Sequence, residues 1–319
     1  MSNEPIFLQP VFKEKIWGGQ KLKTEFKYDI PSEQTGEAWV IAAHSHGANV
    51  IENGPLKGWT LADAWEKHGD LFNRAPDADD AYPLLVKILD AHDDLSVQVH
   101  PNDALAREME NEPYGKTECW YVLDAEPDAE LVLGHHAETQ DELSQMMDDG
   151  KWDKLLRRVK VQPGDFVYVP SGTIHAIGAG VVILETQQSS DITYRVYDYD
   201  RQDSQGNQRE LHLDKARQVT NVPHQTPELD QSTSHVGDMK VTKLVENNYF
   251  AVSHWTLNGT VEKTLSTDFL QVSVISGEAV LKVDGDEYSL YKGTNFILPH
   301  DITEYELSGE ADFVVSWVS

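Results

Sequence analysis

The sequence predicts a mostly β protein, a sandwich or barrel of short strands with a few helical insertions. Runs rich in Val, Ile, Tyr and Trp recur between Gly, Pro, Asn and Asp punctuation, the spacing of strands and turns. In LSVQVHP (95–101) side chains alternate in the two-residue period of a strand. Helical signals are confined to three segments.

In chain order, strands are expected in EAWVIAA, YPLLVKILDA, LSVQVH, WYVLDA, DFVYVP and VVILETQ. TLADAWEKHGDLF reads as a helix capped by Thr60. TQDELSQMMDDGKWDKLLRRV reads as a second, because Thr139 and Glu142 have capping-box spacing, and Pro101–Glu112 as a third. The aperiodic, Pro- and Ser-rich stretch 220–234 reads as a linker. It divides the chain into residues 1–230, with the helical insertions, and a smaller β-domain, 231–319. A weak internal echo links VQPGDFVYVPSGTIHAI to LYKGTNFILPHDITEYEL, with His175 five places past Pro170 and Glu304 five past Pro299. The second domain is therefore expected to hold no metal.

A chain of 319 residues can bury a sizeable core in each part. With 54 acidic against 26 basic residues the net charge is −28, which opposes nucleic-acid and anionic-membrane partners. An anionic ligand needs a local cluster of cations. The single cysteine, Cys119, excludes an internal disulfide, and no signal peptide or apolar membrane run is evident, so a cytoplasmic protein is expected. Cys119 is read as buried packing, and His44, His46, His135 and His136 as surface residues forming no second cluster. Trp17 fits either a site mouth or a core.

Gln98 and His100 share one face of LSVQVHP, while Val97 and Val99 point the other way. Lys116, Glu118 and Trp120 share one face of KTECWYVL, and His175 enters a strand after the Pro-Ser-Gly turn. Two imidazoles, a carboxylate and an amide oxygen suit a divalent ion such as zinc with an open position. No CxxC-type local pattern supports it, because the residues come from three separated segments. Arg195 and Arg201 lie among Asp191, Asp198, Asp200 and Asp203, where ordinary surface pairing is the alternative.

Nearly the whole chain resembles the cupin superfamily and, within it, the short bacterial type I mannose-6-phosphate isomerases. The matching text is KEKIWGGQKL, GEAWV, YPLLVKILDAHDDLSVQVHP, KTECWYVL, GDFVYVPSGTIHAIGAG and LETQQSSDITYRVYDYDR. The resemblance implies two cupin-type jelly-roll β-barrels. It also implies one zinc ion on Gln98, His100, Glu118 and His175, a catalytic arginine at Arg195 and a proton carrier at Glu185. Lys87 and Lys116 align with basic residues lining the family pocket. Arg201 stands where longer relatives carry a lysine. The longer relatives' helical domain is missing, so a cover is expected from residues 101–160.

The implied activity is interconversion of mannose 6-phosphate and fructose 6-phosphate through a cis-enediol, by a monomer or weak homo-oligomer. In it zinc polarises the C1 and C2 oxygens, Glu185 is the base with a zinc-bound water as its rival, and Lys87, Lys116 and Arg201 offer cations to the phosphate. The competing readings are a sugar-phosphate-binding bicupin without turnover and an iron-dependent cupin oxygenase. Gln98 and the cations speak against the latter.

Overall fold

The computed structural model describes residues 4–76, 78–202 and 205–319; Asp203 lies outside them. The expected β architecture is present as three main sheets. A six-stranded sheet runs Phe166–Val169, Glu118–Ala125, Val181–Gln188, Leu84–Ala91, Val11–Gly19, Thr35–Ile41. A five-stranded sheet runs Leu156–Lys160, Glu130–His135, His175–Ile177, Val97–Val99, Tyr194–Tyr197. Trp120, Val122 and Leu89 of the first share a core with Leu131 and Ile177 of the second, so the two stack face to face. They stack as an open sandwich: among the described residues no hydrogen-bonded ladder joins them into the closed barrel that the resemblance implies.

The third sheet has nine strands and contains the whole C-terminal set from Ser232 to Trp317. It curls around its own core of Trp255, Leu281, Phe296 and Phe313. Two 14-residue strands, Ala251–Thr264 and Glu304–Trp317, pair along their full length with Gly259 opposite Gly309. Both glycines have φ near +135° (134° and 137°), and a Cβ on either would meet Asp238 or the Glu278 carbonyl inside 2.6 Å. The outer face of this sheet, through Val252, Ile275 and Val314, packs on Val86, Ile88, Cys119 and Leu184 from the back of the six-stranded sheet. Strand alternation therefore sends Val86 and Leu184 to one core and Lys87 and Glu185 to the other side.

Two strands from the start of the chain join the C-terminal sheet. Ile6–Gln9 pairs with Asn295–Leu298 on one side and with Val50–Ile51 on the other. Residues 221–231, within the expected linker, carry no strand or helix.

The helices follow their caps. Thr60 accepts from Asp63 N at 3.0 Å and opens Leu61–Lys67 in a reciprocal capping box. Asn102 caps Asp103–Glu110, inside the expected third helix. Thr139 caps Gln140–Asp148, but Glu142 takes its return hydrogen bond from Glu138 N instead of Thr139 N. This segment is not one long helix: Gly150 turns the chain at φ 63°, a four-residue helix Trp152–Leu155 follows, and Leu156–Lys160 is a strand. Among the described residues no helix is long and apolar enough to cross a membrane.

Candidate metal centre and substrate cleft

Register builds the site from two facing rows. In the six-stranded sheet Trp39, Lys87, Glu185 and Trp120 lie side by side on neighbouring strands. In the five-stranded sheet His175, Gln98 and Arg195 do the same. Side chains opposite one another in a ladder share a face, so each row presents its groups to the other sheet.

Between the rows His100, Glu118 and His175 offer ligand atoms that lie within 4.8 Å of one another. His175 Nε2 is 3.3 Å and His100 Nε2 3.6 Å from the Glu118 carboxylate. Donors at tetrahedral corners about 2.1 Å from a zinc ion are about 3.4 Å apart, so these residues fit such an ion. The tautomers fit as well. His100 Nδ1 donates to Ile192 O at 2.7 Å and His175 Nδ1 to Thr173 O at 2.9 Å, which leaves each Nε2 lone pair aimed at the shared centre. Burial, with the Lys116 ammonium nearby, holds His100 well below the usual histidine range and His175 down at about 4. Gln98 joins them, its amide nitrogen 3.4 Å from His175 Nε2. A half-turn of that amide exchanges nitrogen for oxygen.

Lys116 contacts Glu118 closely and lies 3.3 Å from His100 Nε2 and 3.6 Å from Glu185. Burial pushes its ammonium down, but Glu118 and Glu185 outweigh that and hold it above the usual lysine range. Trp120 Nε1 donates to both Glu118 and Glu185 at 3.1 Å. Lys87 is 3.5 Å from Glu185, and burial lowers it despite Glu185 and Glu37. A cleft of about 280 Å³ opens over these groups. Its walls include Lys15, Trp17, Glu37, Arg195 and Arg209.

Two family descriptions match the chain: "Phosphomannose isomerase type I, catalytic domain" over residues 6–132 and "Mannose-6-phosphate isomerase, cupin domain" over 240–318. Mannose-6-phosphate isomerase ManA of Bacillus subtilis (strain 168) is 50% identical over 316 residues, covering 99% of both chains. The chain belongs to the type I phosphomannose isomerase family. A crystal structure of the Bacillus subtilis mannose 6-phosphate isomerase superposes with a TM-score of 0.95 at 48% identity, covering 98% of this chain and 99% of that one. The Salmonella typhimurium enzyme in its apo form, 18% identical with a TM-score of 0.76 and full coverage of both chains, shares the fold.

In this family member the six residues Gln98, His100, Glu118, His175, Lys116 and Glu185 meet in one place. Two ammonium groups and an indole N–H surround the Glu185 carboxylate. Arg195 reaches the cleft wall, with Nε on Ser96 Oγ at 3.3 Å and Nη1 on Glu210 O at 2.8 Å. Arg201 is absent from the cleft lining, because its guanidinium is spent on Asp198 at 2.6 Å and the Asp94 carbonyl at 2.5 Å. Trp17 is both core and cleft wall. Of residues 101–160 only Lys116 lines the cleft, and its edge comes instead from Lys15 and the segment bearing Arg209.

Three histidines depart from the sequence reading. His44 and His46 do gather, on Asp191, with His46 Nδ1 2.5 Å and His44 Nε2 3.8 Å from its carboxylate. His44 Nδ1 already accepts from His46 N at 3.1 Å, so in the neutral ring Nε2 carries the proton. That tautomer turns an N–H, not a lone pair, toward Asp191 3.8 Å away and offers no ligand atom there to a cation. His135 is buried and bonded to Asn221 O at 2.9 Å. Arg209 had no sequence signal: it sits among exposed residues of a polar loop.

Proposed function

We propose that this chain is a cytoplasmic, zinc-dependent aldose–ketose isomerase that interconverts mannose 6-phosphate and fructose 6-phosphate through a cis-enediol. The observation that carries this reading is the convergence of two Nε2 lone pairs and one carboxylate beneath a cation-lined cleft, in a member of this family. Gln98, His100, Glu118 and His175 would hold the zinc. When bound, it supplies a Lewis acid for charge developing on the C1 and C2 oxygens.

The chain's own groups do the rest. Glu185 moves the proton between C1 and C2, held in place by the Trp120 N–H and flanked by Lys87 and Lys116. Those ammonium groups stabilise negative charge on the reacting oxygens, more in the transition state than in the ground state. Arg195, fixed by Ser96 and the Glu210 carbonyl, faces the same charge from the other sheet. Arg201 acts at one remove by gripping Asp198. The unit 231–319 serves as packing without a metal, since Glu304, which opens its strand as His175 opens the first, is exposed.

A linked-enzyme assay of fructose 6-phosphate formation from mannose 6-phosphate tests the reading. Turnover that a chelator abolishes and added zinc restores is expected. A zinc-loaded protein that binds the sugar phosphate without turnover would make it a binding module, and oxygen uptake would make it an oxygenase.

A further inference from the structure

The cleft carries more positive charge than its own acids neutralise. Glu37 is paired with Lys15 at 3.0 Å, Glu185 with Lys87 and Lys116, and Asp191 with His46. Of the remaining cations Arg195 and Arg209 line the cleft, and Arg201 stands outside it on the carboxylate that Arg209 uses, Asp198. Asp198 takes a two-pronged bond from Arg209, Nε at 2.7 Å and Nη2 at 2.6 Å, and a third from Arg201 at 2.6 Å. Arg195 has no carboxylate partner among the described residues. Arg195 and Arg209 line the same cleft, and burial with the Arg209 charge pushes the Arg195 guanidinium down. A dianion between them relieves that repulsion.

The same residues are held rigidly. Arg201 lies over the Tyr199 ring at 5.2 Å and is tied to the Asp94 carbonyl. Tyr199 and Asp200 both take φ 56°, a left-handed backbone that non-glycine residues adopt only when surrounding contacts enforce it. Arg209 is half-buried, with 28% of its side chain exposed, in a loop whose neighbours are open to solvent. Its Nε and Nη2 edge is spent on Asp198, which leaves Nη1 for a ligand of the cleft that Arg209 lines.

We propose that Arg209 holds the phosphate of the substrate, and that Asp198 and Arg201 are positioning residues that act through it. This rests on the sugar-phosphate reading and adds the residue that selects a phosphorylated sugar over a neutral one. Fixing the fork on one carboxylate leaves less side-chain entropy to lose when the anion binds.

The test uses the zinc-loaded full chain, with zinc content and thermal melting measured for every variant. Kinetics are followed with mannose 6-phosphate and with mannose, and inorganic phosphate serves as the competing anion. Arg209→Met is expected to raise both KM for mannose 6-phosphate and the inhibition constant of phosphate by about tenfold to a hundredfold, the range of one charge-assisted pair. Selectivity for the phosphorylated sugar falls by the same factor, and the effect lies in KM rather than kcat. Arg209→Lys recovers part of it, and Asp198→Asn shows the same pattern at about threefold to tenfold. Phosphate inhibition and KM within twofold of wild type in Arg209→Met would overturn the proposal, as would equal losses on both sugars. A wild type that does not isomerise, yet binds phosphate through Arg209, would sink the isomerase reading and keep the anion site.

Discussion

Replacing Lys116 with Met removes the one ammonium that touches both Glu118 and His100. Glu118 is fully buried at 0% exposure and Lys116 is 4% exposed, so neither charge is shared with water. Without a metal, the variant leaves the Glu118 carboxylate with a Trp120 N–H at 3.1 Å and without the ammonium that contacts it in the wild type. Breaking a buried pair from one side costs about 3–5 kcal/mol of folding stability. A dication on His100, Glu118 and His175 replaces the missing positive charge, so the zinc-loaded variant loses about 1 kcal/mol or less. The difference, about 3 kcal/mol, appears by linkage as zinc bound about a hundredfold more tightly. Guanidinium denaturation with and without chelator measures the first quantity, and competition with a chromogenic chelator the second. Equal destabilisation in both states, or weaker zinc binding by Lys116→Met, would refute the idea that the ammonium and the metal compete for one carboxylate.

His100→Ala and His175→Ala are each expected to lose stoichiometric zinc, and full occupancy by elemental analysis would remove that residue from the ligand set. Arg195→Ala should lower kcat about a hundredfold with zinc retained; an unchanged kcat would reduce Arg195 to a tie between Ser96 and the Glu210 carbonyl. Glu37 supplies a pH signature. Burial pushes its carboxyl up, but Lys87, Lys15 and the Trp39 N–H outweigh this and bring it down to about 2. A folded value below the unfolded one near 4.5 stabilises the protein fully above pH 4.5, and the gain fades as pH falls to 2. The stability difference between wild type and Glu37→Gln should therefore shrink over that window, by up to about 1.4 kcal/mol per pH unit, in denaturation series. A difference constant from pH 5 to pH 2 would contradict it.

How much of this was legible beforehand depended on whether one segment contained the information. Alternation within LSVQVHP and KTECWYVL put Gln98 with His100 and Lys116 with Glu118 and Trp120, because strand period is a local property. The surroundings of Glu185 were not local. Its neighbours Lys87 and Trp120 come from other strands through register, which no short window of sequence encodes. The same holds for His44 and His46 meeting Asp191 across the fold. Arg209 escaped because a cation in an exposed polar loop has no pattern until Asp198 fixes its direction. The break after Asp148 was signalled by Gly150, yet the good helix formers that follow obscured it.

The pairing of Ile6 with Ile297 places the strand Ile6–Gln9 between a neighbour made soon after it, Val50–Ile51, and one made much later, Asn295–Leu298. During synthesis the residues around Ile6 wait, unpaired on one side, until the segment around Ile297 has left the ribosome. Loop closure on that scale is slow, and an apolar edge exposed meanwhile invites pairing with other nascent chains. A fragment ending near residue 230 would keep that edge open permanently. Yield of such a fragment should depend on chaperone supply far more than yield of the full chain does.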